Sequence, residues 1–143
     1  MMGQAQVGTL AGAKILIVED EFLVALQLED VLRAAGHCVV GIVPDRASLA
    51  AIHEAPQVAL VDLNLRDGPS GPTIALDLSR HYGTRVVYVT ANPQQIDVLA
   101  PTAIGVIPKP FSEEAILAAV AYAIDGQSPE PPAQLEPITS AHH

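Results

Sequence analysis

The chain has 143 residues, a length that favours a single domain of ordinary size. Half of the residues are hydrophobic but only 3% are aromatic, so the predicted core is aliphatic. Seven Lys and Arg against sixteen Asp and Glu give a formal net charge of −9, which disfavours binding to a phosphate backbone. The few aromatic residues offer no platform for stacked bases, so no direct binding to nucleic acid is expected.

The single cysteine and the N-terminal residues indicate the cellular compartment of the protein. Cys38 has no partner for an internal disulfide, so a reducing compartment is expected, and its apolar neighbours predict that it fills the core. Residues 1–13 lack the basic and apolar segments of a signal peptide. The longest apolar run, residues 115–124, is about half as long as a membrane-spanning helix. These features predict a cytoplasmic protein with no membrane partner.

Five short aliphatic runs are predicted to be β-strands. Each is apolar almost throughout and does not alternate between apolar and polar residues. They cover residues 14–18, 38–43, 58–61, 86–89 and 104–107. Strands of this kind are typical of a parallel sheet that is covered on both faces.

Segments of helical period lie between the strands. Apolar residues spaced by three and four from Val24 to Ala35 predict a first helix, which Gly36 is expected to end. Asp45 is a predicted cap of a short helix that reaches about Ala55.

Two further helices are predicted later in the chain. One follows Gly71 and has Tyr82 as its last inward-facing residue, and the other runs from the cap Ser112 to about Asp125. Right-handed crossovers between the strands then give an α/β fold, a doubly wound five-stranded parallel sheet with helices on both faces.

Three parts of the chain are distinguished by composition. Residues 1–12 form an N-terminal extension, residues 13–125 the folded domain and residues 126–143 a C-terminal tail. The tail carries four prolines and little periodicity, so we expect an extended appendage that is too short to be an effector domain.

Polar residues follow four of the five predicted strands. Glu19 and Asp20 follow the first strand, Asp62 the third, Thr90 the fourth and Lys109 the fifth. In an open parallel sheet, ligands bind at the carboxyl ends of the strands, so we expect these side chains to meet. Three neighbouring carboxylates repel one another and need a cation, and oxygen ligands suit Mg²⁺. With a lysine and a hydroxyl beside them, the set indicates a site for a phosphoryl group on or near a carboxylate.

Taken in order, four segments resemble the receiver domain of two-component response regulators, which has a flavodoxin-like (CheY-like) fold. They are ILIVEDE at 15–21, VDLNL at 61–65, VTA at 89–91 and PKPF at 108–111. The resemblance covers about residues 13–125. It implies a single-domain response regulator that accepts a phosphoryl group from a sensor histidine kinase or a histidine phosphotransfer protein. Such a protein then contacts a downstream protein or acts as a phosphate sink, and it is not an enzyme beyond its own phosphotransfer and dephosphorylation.

The resemblance also implies a role for each site residue in phosphoryl transfer. Asp62 would be the phosphoacceptor and would form an acyl phosphate. Lys109 would pair with the phosphoryl oxygens, and Thr90 would move to bond one of them. The downstream partner would bind the face formed by the fourth helix, the fifth strand and the fifth helix, with residues 92–102 as the segment that responds.

The same resemblance implies a Mg²⁺ site. Asp20 and Asp62 would bind the ion directly, Glu19 would bind it through water, and Asn64 would offer its main-chain carbonyl.

Three features depart from the usual receiver pattern. Val106 stands three positions before Lys109, where receivers usually carry a Tyr or Phe, so the output needs loop movement or another side chain such as Tyr88. The segment from Thr90 to Lys109 is short and contains two prolines, so its helix is expected to be brief or partly irregular. The loop after Asp62 is long, and its Asp-Gly-Xaa-Ser-Gly sequence and the later Thr-Ala-Xaa-Pro resemble receivers of alphaproteobacterial stress-response regulators.

Two alternatives stay open. A phosphohydrolase of the haloacid-dehalogenase type also uses a strand-end Asp, a Thr or Ser and a Lys. That class needs an acid where this chain has Asn64, and its acidic pair comes last, whereas Glu19 and Asp20 come first. The second alternative is a receiver-like interaction module that works without phosphorylation.

Overall fold

The computed structural model describes residues 12–96, 99–125 and 135–136. Five parallel strands form one sheet in the order β2-β1-β3-β4-β5, so the predicted doubly wound parallel sheet is confirmed. The strands are β1 (Lys14–Val18), β2 (Cys38–Val43), β3 (Val58–Val61), β4 (Arg85–Thr90) and β5 (Ala103–Pro108). The strand order reverses between β1 and β3, which places a crevice at their carboxyl ends.

Within the described residues, two α-helices and two 3₁₀ turns connect the strands, and a third α-helix follows the last strand. The helices are α1 (Phe22–Ala34), α2 (Gly71–Tyr82) and α3 (Glu113–Asp125), and the turns are Ala47–Ala51 and Pro93–Gln95. The brief fourth helix is therefore confirmed as a 3₁₀ turn.

The predicted helix from Asp45 to Ala55 is wrong. Asp45 does accept a hydrogen bond from the N–H of Ser48 at 2.8 Å, but only the five-residue 3₁₀ turn follows. Leu49 and Ile52 are the only large aliphatic side chains that this connection packs against the core, which is too few for a helical face.

The sheet separates two apolar layers because successive strand side chains point to opposite faces. On one face, α1 and α3 cover Ile15, Ile17, Val58, Leu60, Val87, Val89 and Ile107. On the other face, α2 covers Leu16, Val18, Ala59, Val61, Val86, Tyr88 and Val106. The core is aliphatic, as its composition predicts.

The ends of the helices follow the predicted signals with one exception. Gly36 has a φ of 93° directly after α1, and the Ser112 hydroxyl accepts a hydrogen bond from the Ala115 N–H at the start of α3. Tyr82 is 57% exposed, so its predicted inward position is wrong. It is the last residue of α2, and Gly83 ends the helix there in the left-handed conformation.

Cys38 is exposed, so the prediction that it fills the core is wrong. It is the first residue of β2, which is an edge strand, and no element in the described part of the chain covers that end of the strand. Val39, the next residue, points the other way and is buried.

Both edge strands carry one extra residue near their amino ends. In β2 this residue is Val40, and in β5 it is Ile104. Each is followed by a glycine, Gly41 or Gly105. Beyond these bulges the pairing is regular up to the carboxyl ends.

The predicted N-terminal extension and C-terminal tail lie almost entirely outside the described residues. In the tail, Leu135 and Glu136 are described, and Glu136 forms an antiparallel bridge with Val106 of β5. The three-part division of the chain stays a prediction. No helix in the described part of the chain is long and apolar enough to cross a membrane.

Candidate functional site

The ends of β1, β3, β4 and β5 bring the predicted site residues to one place. The parallel hydrogen-bond ladder continues one residue past the strands, since the N–H of Asp62 donates to the Val18 carbonyl at 2.9 Å. In the same way the N–H of Lys109 donates to the Thr90 carbonyl at 2.9 Å. The sheet backbone therefore fixes where the Asp62 and Lys109 side chains leave it.

Lys109 lies at the centre of an acidic cluster. Its Nζ is 3.0 Å from Asp62 Oδ2 and 2.9 Å from Glu19 Oε1, and the exposed Glu21 lies 3.5 Å away. The other Asp62 oxygen, Oδ1, accepts a hydrogen bond from the Leu63 N–H at 2.7 Å. Both oxygens of Asp62 are thereby held in place.

Burial and ion pairing act in opposite directions on these groups. Burial raises the pKa of Glu19, although hydrogen bonds from Lys109 and from the Glu21 N–H counteract it. Burial alone would lower the pKa of Lys109, but Glu19 and Asp62 outweigh it and raise that pKa above its ordinary value. Lys109 is therefore a fixed positive charge in the site.

Three carboxylates of the site can share one metal ion. Glu19, Asp20 and Asp62 each offer an oxygen, and these oxygens lie within 4.8 Å of one another. The donors are all oxygen, and Asp20 is only half-buried, which leaves access for water. Three negative charges against the one positive charge of Lys109 leave an excess that a divalent cation would neutralise. This donor set fits Mg²⁺.

Thr90 and Asn64 lie at the site, and the hydrogen bonds of their side chains run to the β4–β5 connection. Thr90 is fully buried, and its Oγ1 accepts a hydrogen bond from the Asn92 N–H at 3.0 Å. Asn64 is exposed on the rim, and its Nδ2 donates to Gln95 Oε1 at 2.9 Å. The predicted roles of the Thr90 hydroxyl and the Asn64 carbonyl stay predictions.

Val106 and Tyr88 are paired residues of β5 and β4. Both side chains are buried, and the Tyr88 hydroxyl accepts a hydrogen bond from the Ala100 N–H at 3.2 Å. Burial raises the pKa of Tyr88. The Tyr88 ring thus lies in the core and supports the connection that ends at β5, and its predicted part in output is untested.

Gly71 positions Asp62, a role that the sequence did not reveal. A Cβ atom on Gly71 would lie 1.9 Å from the Asp62 carbonyl oxygen and 2.8 Å from Leu63 Cα. The Gly71 N–H also donates to the Leu63 carbonyl at 3.1 Å. The start of α2 therefore packs directly on the backbone of the acceptor residue. Its positions at a predicted helix start and at the end of the Asp-Gly-Xaa-Ser-Gly sequence were the sequence signals.

Polar side chains hold the loop after Asp62 to the loop after β2. Arg66 Nε donates to Asp45 Oδ2 at 2.7 Å, and the Arg46 N–H donates to Asp67 Oδ2 at 3.0 Å. Hydrogen bonds from Ser48, and then one from Arg66, lower the pKa of Asp45 to about 2. The sequence marks Asp45 as a cap and Asp67 as part of the loop motif, but it does not show that Arg46 and Arg66 contact them.

Comparison with known proteins agrees with the site. The family model described as the response regulator receiver domain matches residues 15–121. The phyllosphere-induced regulator PhyR of Methylorubrum extorquens is 32% identical over 115 residues, which make up 78% of this chain and 43% of PhyR.

Two solved structures are also similar. The solution structure of the PhyR receiver domain of Erythrobacter litoralis is 29% identical with a TM-score of 0.70, and the match covers 85% of this chain and 96% of that one. The crystal structure of the anti-anti-sigma factor PhyR of Bartonella quintana is 26% identical with a TM-score of 0.70, covering 88% of this chain and 54% of that one. The chain thus spans about half the length of the curated and full-length relatives. The narrower resemblance seen in the loop motifs is confirmed by these PhyR relatives.

Proposed function

The chain belongs to the response regulator receiver domain family, and from this we propose that it accepts a phosphoryl group on Asp62 in a Mg²⁺-dependent phosphorelay. One observation carries the proposal: Lys109 bridges Glu19 and Asp62 beside Asp20, at the carboxyl ends of β1, β3 and β5. A receiver domain is a regulator and not a catalytic enzyme, so its own phosphotransfer and dephosphorylation are the only reactions that we assign to it.

Asp62 would act as the nucleophile. Its carboxylate attacks the phosphorus of a phosphohistidine on the donor protein, a P–O bond forms, the P–N bond breaks, and the electron pair of that bond returns to the imidazole. Lys109, 3.0 Å from the carboxylate, would pair with the transferred phosphoryl oxygens. Catalysis of this kind depends mostly on positioning and charge neutralisation.

Mg²⁺ would bind to the acidic cluster, with Asp20 and Asp62 as direct ligands, Glu19 acting through water and Asn64 offering its carbonyl. The ion would supply the positive charge that the carboxylates and the phosphoryl group require. Thr90 is fully buried at the end of β4 and would exchange its hydrogen bond with the Asn92 N–H for one to the phosphoryl group.

The surface next to the acidic cluster suits docking of the phosphoryl donor. Phe22 and Leu23, the first residues of α1, are 71% and 78% exposed. Leu23 also lines a groove of about 510 Å³ that extends along α1 to Glu113 of α3. We expect a histidine kinase or histidine phosphotransfer protein in the cytoplasm to cover these apolar side chains when it brings its phosphohistidine to Asp62.

The output is proposed to be a protein contact or a phosphate sink. The similarity to PhyR lies in the receiver domain, so the anti-anti-sigma activity named for the Bartonella quintana protein is not assigned to this chain. We propose that the chain works in a stress-response pathway of the PhyR type. Its output surface would be residues 92–102, β5 and α3, of which residues 97 and 98 lie outside the described part of the chain.

Intact mass spectrometry tests the proposal. After incubation with acetyl phosphate and Mg²⁺, the wild type should gain the mass of one phosphoryl group, and the adduct should be lost in base. Asp62→Asn should gain nothing. Asp125→Asn, which changes an exposed aspartate at the end of α3, far along the chain from the acceptor loop, is the control and should label like the wild type.

Two results would contradict the proposal. Labelling that persists in Asp62→Asn, or that is complete in excess EDTA, would mean another site or no metal requirement. An unlabelled wild type that still binds its partner would favour the phosphorylation-independent interaction module. The phosphohydrolase alternative is not proposed, because the chain belongs to the receiver family.

A further inference from the structure

Two residues of the tail pair with an edge of the sheet. The Val106 N–H donates to the Glu136 carbonyl at 2.9 Å, and the Glu136 N–H donates to the Val106 carbonyl at 2.8 Å. Within the described residues, the contact is a single antiparallel bridge. Since β5 has only β4 beside it in the sheet, this bridge satisfies backbone groups that an edge strand otherwise presents to solvent or to another chain.

The Leu135 side chain fills a slot that exists because residue 105 is glycine. Leu135 is 1% exposed and belongs to the apolar layer beneath α3. A Cβ atom on Gly105 would lie 2.5 Å from Leu135 Cγ and 2.9 Å from the Glu136 carbonyl oxygen, which is too close for any side chain. The slot therefore accepts an extended backbone that carries one aliphatic side chain.

At the opposite edge of the sheet, a glycine of β2 also leaves room for an aliphatic side chain, which there belongs to the β2–β3 connection. A Cβ atom on Gly41 would lie 2.4 Å from Ile52 Cδ1. Ile52 directly follows the first 3₁₀ turn and is part of the connection between β2 and β3. Leu135, in contrast, is separated from α3 by residues 126–134, and the described contacts are its buried side chain and the Glu136 bridge. The Gly41 contact is thus part of a short connection between two strands of the sheet, whereas the Gly105 contact comes from a residue beyond the last helix.

We propose that the slot at Gly105 is a docking site for an extended peptide of a partner protein, and that Leu135 and Glu136 occupy it in the absence of that partner. The peptide places a leucine-like side chain over Gly105 and pairs its next residue antiparallel with Val106, which is strand addition at a sheet edge. The identity of the partner rests on the proposed function, because β5 is part of the proposed output surface. The slot itself needs no phosphoryl group.

Peptide binding to the full chain tests this proposal. A fluorescein-labelled peptide with the sequence of residues 131–140 is titrated with the wild type and with Leu135→Ser, and fluorescence anisotropy is measured. The variant should bind about tenfold more tightly or better, because the tethered tail no longer competes at its high effective concentration. Tyr82→Ser removes an exposed side chain of α2, outside the proposed output surface, and should bind like the wild type. A peptide with serine in place of its leucine should bind neither protein.

Further variants test whether the peptide binds at the slot itself. Gly105→Ala in the Leu135→Ser background should abolish binding while circular dichroism shows a folded protein. If that variant does not fold, hydrogen exchange in Leu135→Ser provides the test, and the peptide should protect the Val106 amide. Asp62→Asn should bind the peptide like the wild type, so a failed phosphorylation experiment does not bear on the slot.

Three results would overturn the proposal. The first is equal affinity of the wild type and Leu135→Ser for the peptide, and the second is binding of the serine-substituted peptide. The third is a dimer of the wild type whose formation requires Leu135, because the occupant would then be a second copy of the chain.

Discussion

Two loops flank the acceptor aspartate, and they are held in different ways. The β3–α2 loop, residues 63–70, packs on the first residue of α2 and is tied to the β2–β3 connection by the Arg66–Asp45 ion pair. The β4–β5 connection, described at residues 91–96 and 99–102, contains a three-residue 3₁₀ turn and is supported by neutral hydrogen bonds to side chains. The nucleophile is therefore fixed from several directions, whereas the described part of the loop beside Thr90 is held by hydrogen bonds to neutral side chains and by the apolar contacts of Ile96 and Leu99.

Among the described residues, one side-chain hydrogen bond joins the two loops. Asn64 lies two residues after the acceptor, and its side-chain amide donates to Gln95 of the 3₁₀ turn at 2.9 Å. Because both side chains are exposed, water can replace this bond at little cost. The site can therefore keep Asp62 in a fixed position while the β4–β5 connection changes its contacts.

The largest effect on stability is expected in the β3–α2 loop, from Gly71→Ala. The added Cβ would lie 1.9 Å from the Asp62 carbonyl oxygen, so the acceptor backbone has to move. We expect a loss of about 3 kcal/mol in the free energy of unfolding and slower phosphorylation by acetyl phosphate. Urea denaturation and intact mass measure the two effects.

Gly83→Ala is the matched control, at the other end of the same helix. A Cβ there meets nothing within 4 Å, but φ is +67°. Backbone strain of about 1 kcal/mol is expected, with an unchanged rate of phosphorylation. Equal rates for the wild type and Gly71→Ala would mean that the acceptor loop is not fixed by α2.

A smaller effect on stability is expected in the β4–β5 connection, from Tyr88→Phe. The substitution removes the hydroxyl that accepts a hydrogen bond from the buried Ala100 N–H, so we expect a loss of about 1–2 kcal/mol of stability. Hydrogen exchange at Ala100 should become faster. Tyr82→Phe changes an exposed tyrosine and should alter stability by less than about 0.5 kcal/mol. Unchanged exchange at Ala100 would show that other contacts hold the connection.

The smallest effect concerns the polar contacts of the fixed loop and depends on pH. The pKa of Asp45 is lowered from 3.8 to about 2, first by Ser48 and then by Arg66. The folded state favours the ionised form, so the stability that Asp45 contributes is present above about pH 4 and is lost as the pH falls towards 2. A carboxyl NMR titration of Arg66→Gln should give a higher pKa for Asp45 that is still below 3.8, because Ser48 remains.

Arg80→Gln, at an exposed position of α2, is the control for that titration and should leave the pKa of Asp45 unchanged. If Arg66→Gln also leaves it unchanged, the ion pair does not hold the loop in solution.

The sheet and the positions of the site residues were predictable because both depend on local sequence. Each strand is a continuous aliphatic run, and the residues of the cluster directly follow such runs. Once the strands are parallel, their carboxyl ends meet at one edge, so Asp20, Asp62 and Lys109 come together without any knowledge of packing. The lack of an aromatic residue at Val106 could also be read directly from the sequence.

The remaining features were not predictable because they depend on contacts between distant segments. Gly71 and Gly105 are needed because another backbone or side chain approaches them, and the sequence does not show that approach. Leu135 and Ile138 are the two large aliphatic residues of a proline-rich segment with no period, so nothing local distinguishes Leu135 from an exposed residue. Cys38 has apolar neighbours but lies on an edge strand that nothing covers at that point.

The bulges of the two edge strands have a consequence for how such a chain can evolve. The extra residues, Val40 and Ile104, lie near the amino ends of β2 and β5, and pairing beyond them is regular up to the site. An insertion or deletion near the amino end of either edge strand can change the size of the bulge and leave the pairing beyond it unchanged. One residue added between the bulge of β5 and Lys109 would turn the lysine to the opposite face of the sheet. Among descendants of this sequence, insertions and deletions in the edge strands should therefore be tolerated near the amino ends and be rare near the carboxyl ends, where the site lies.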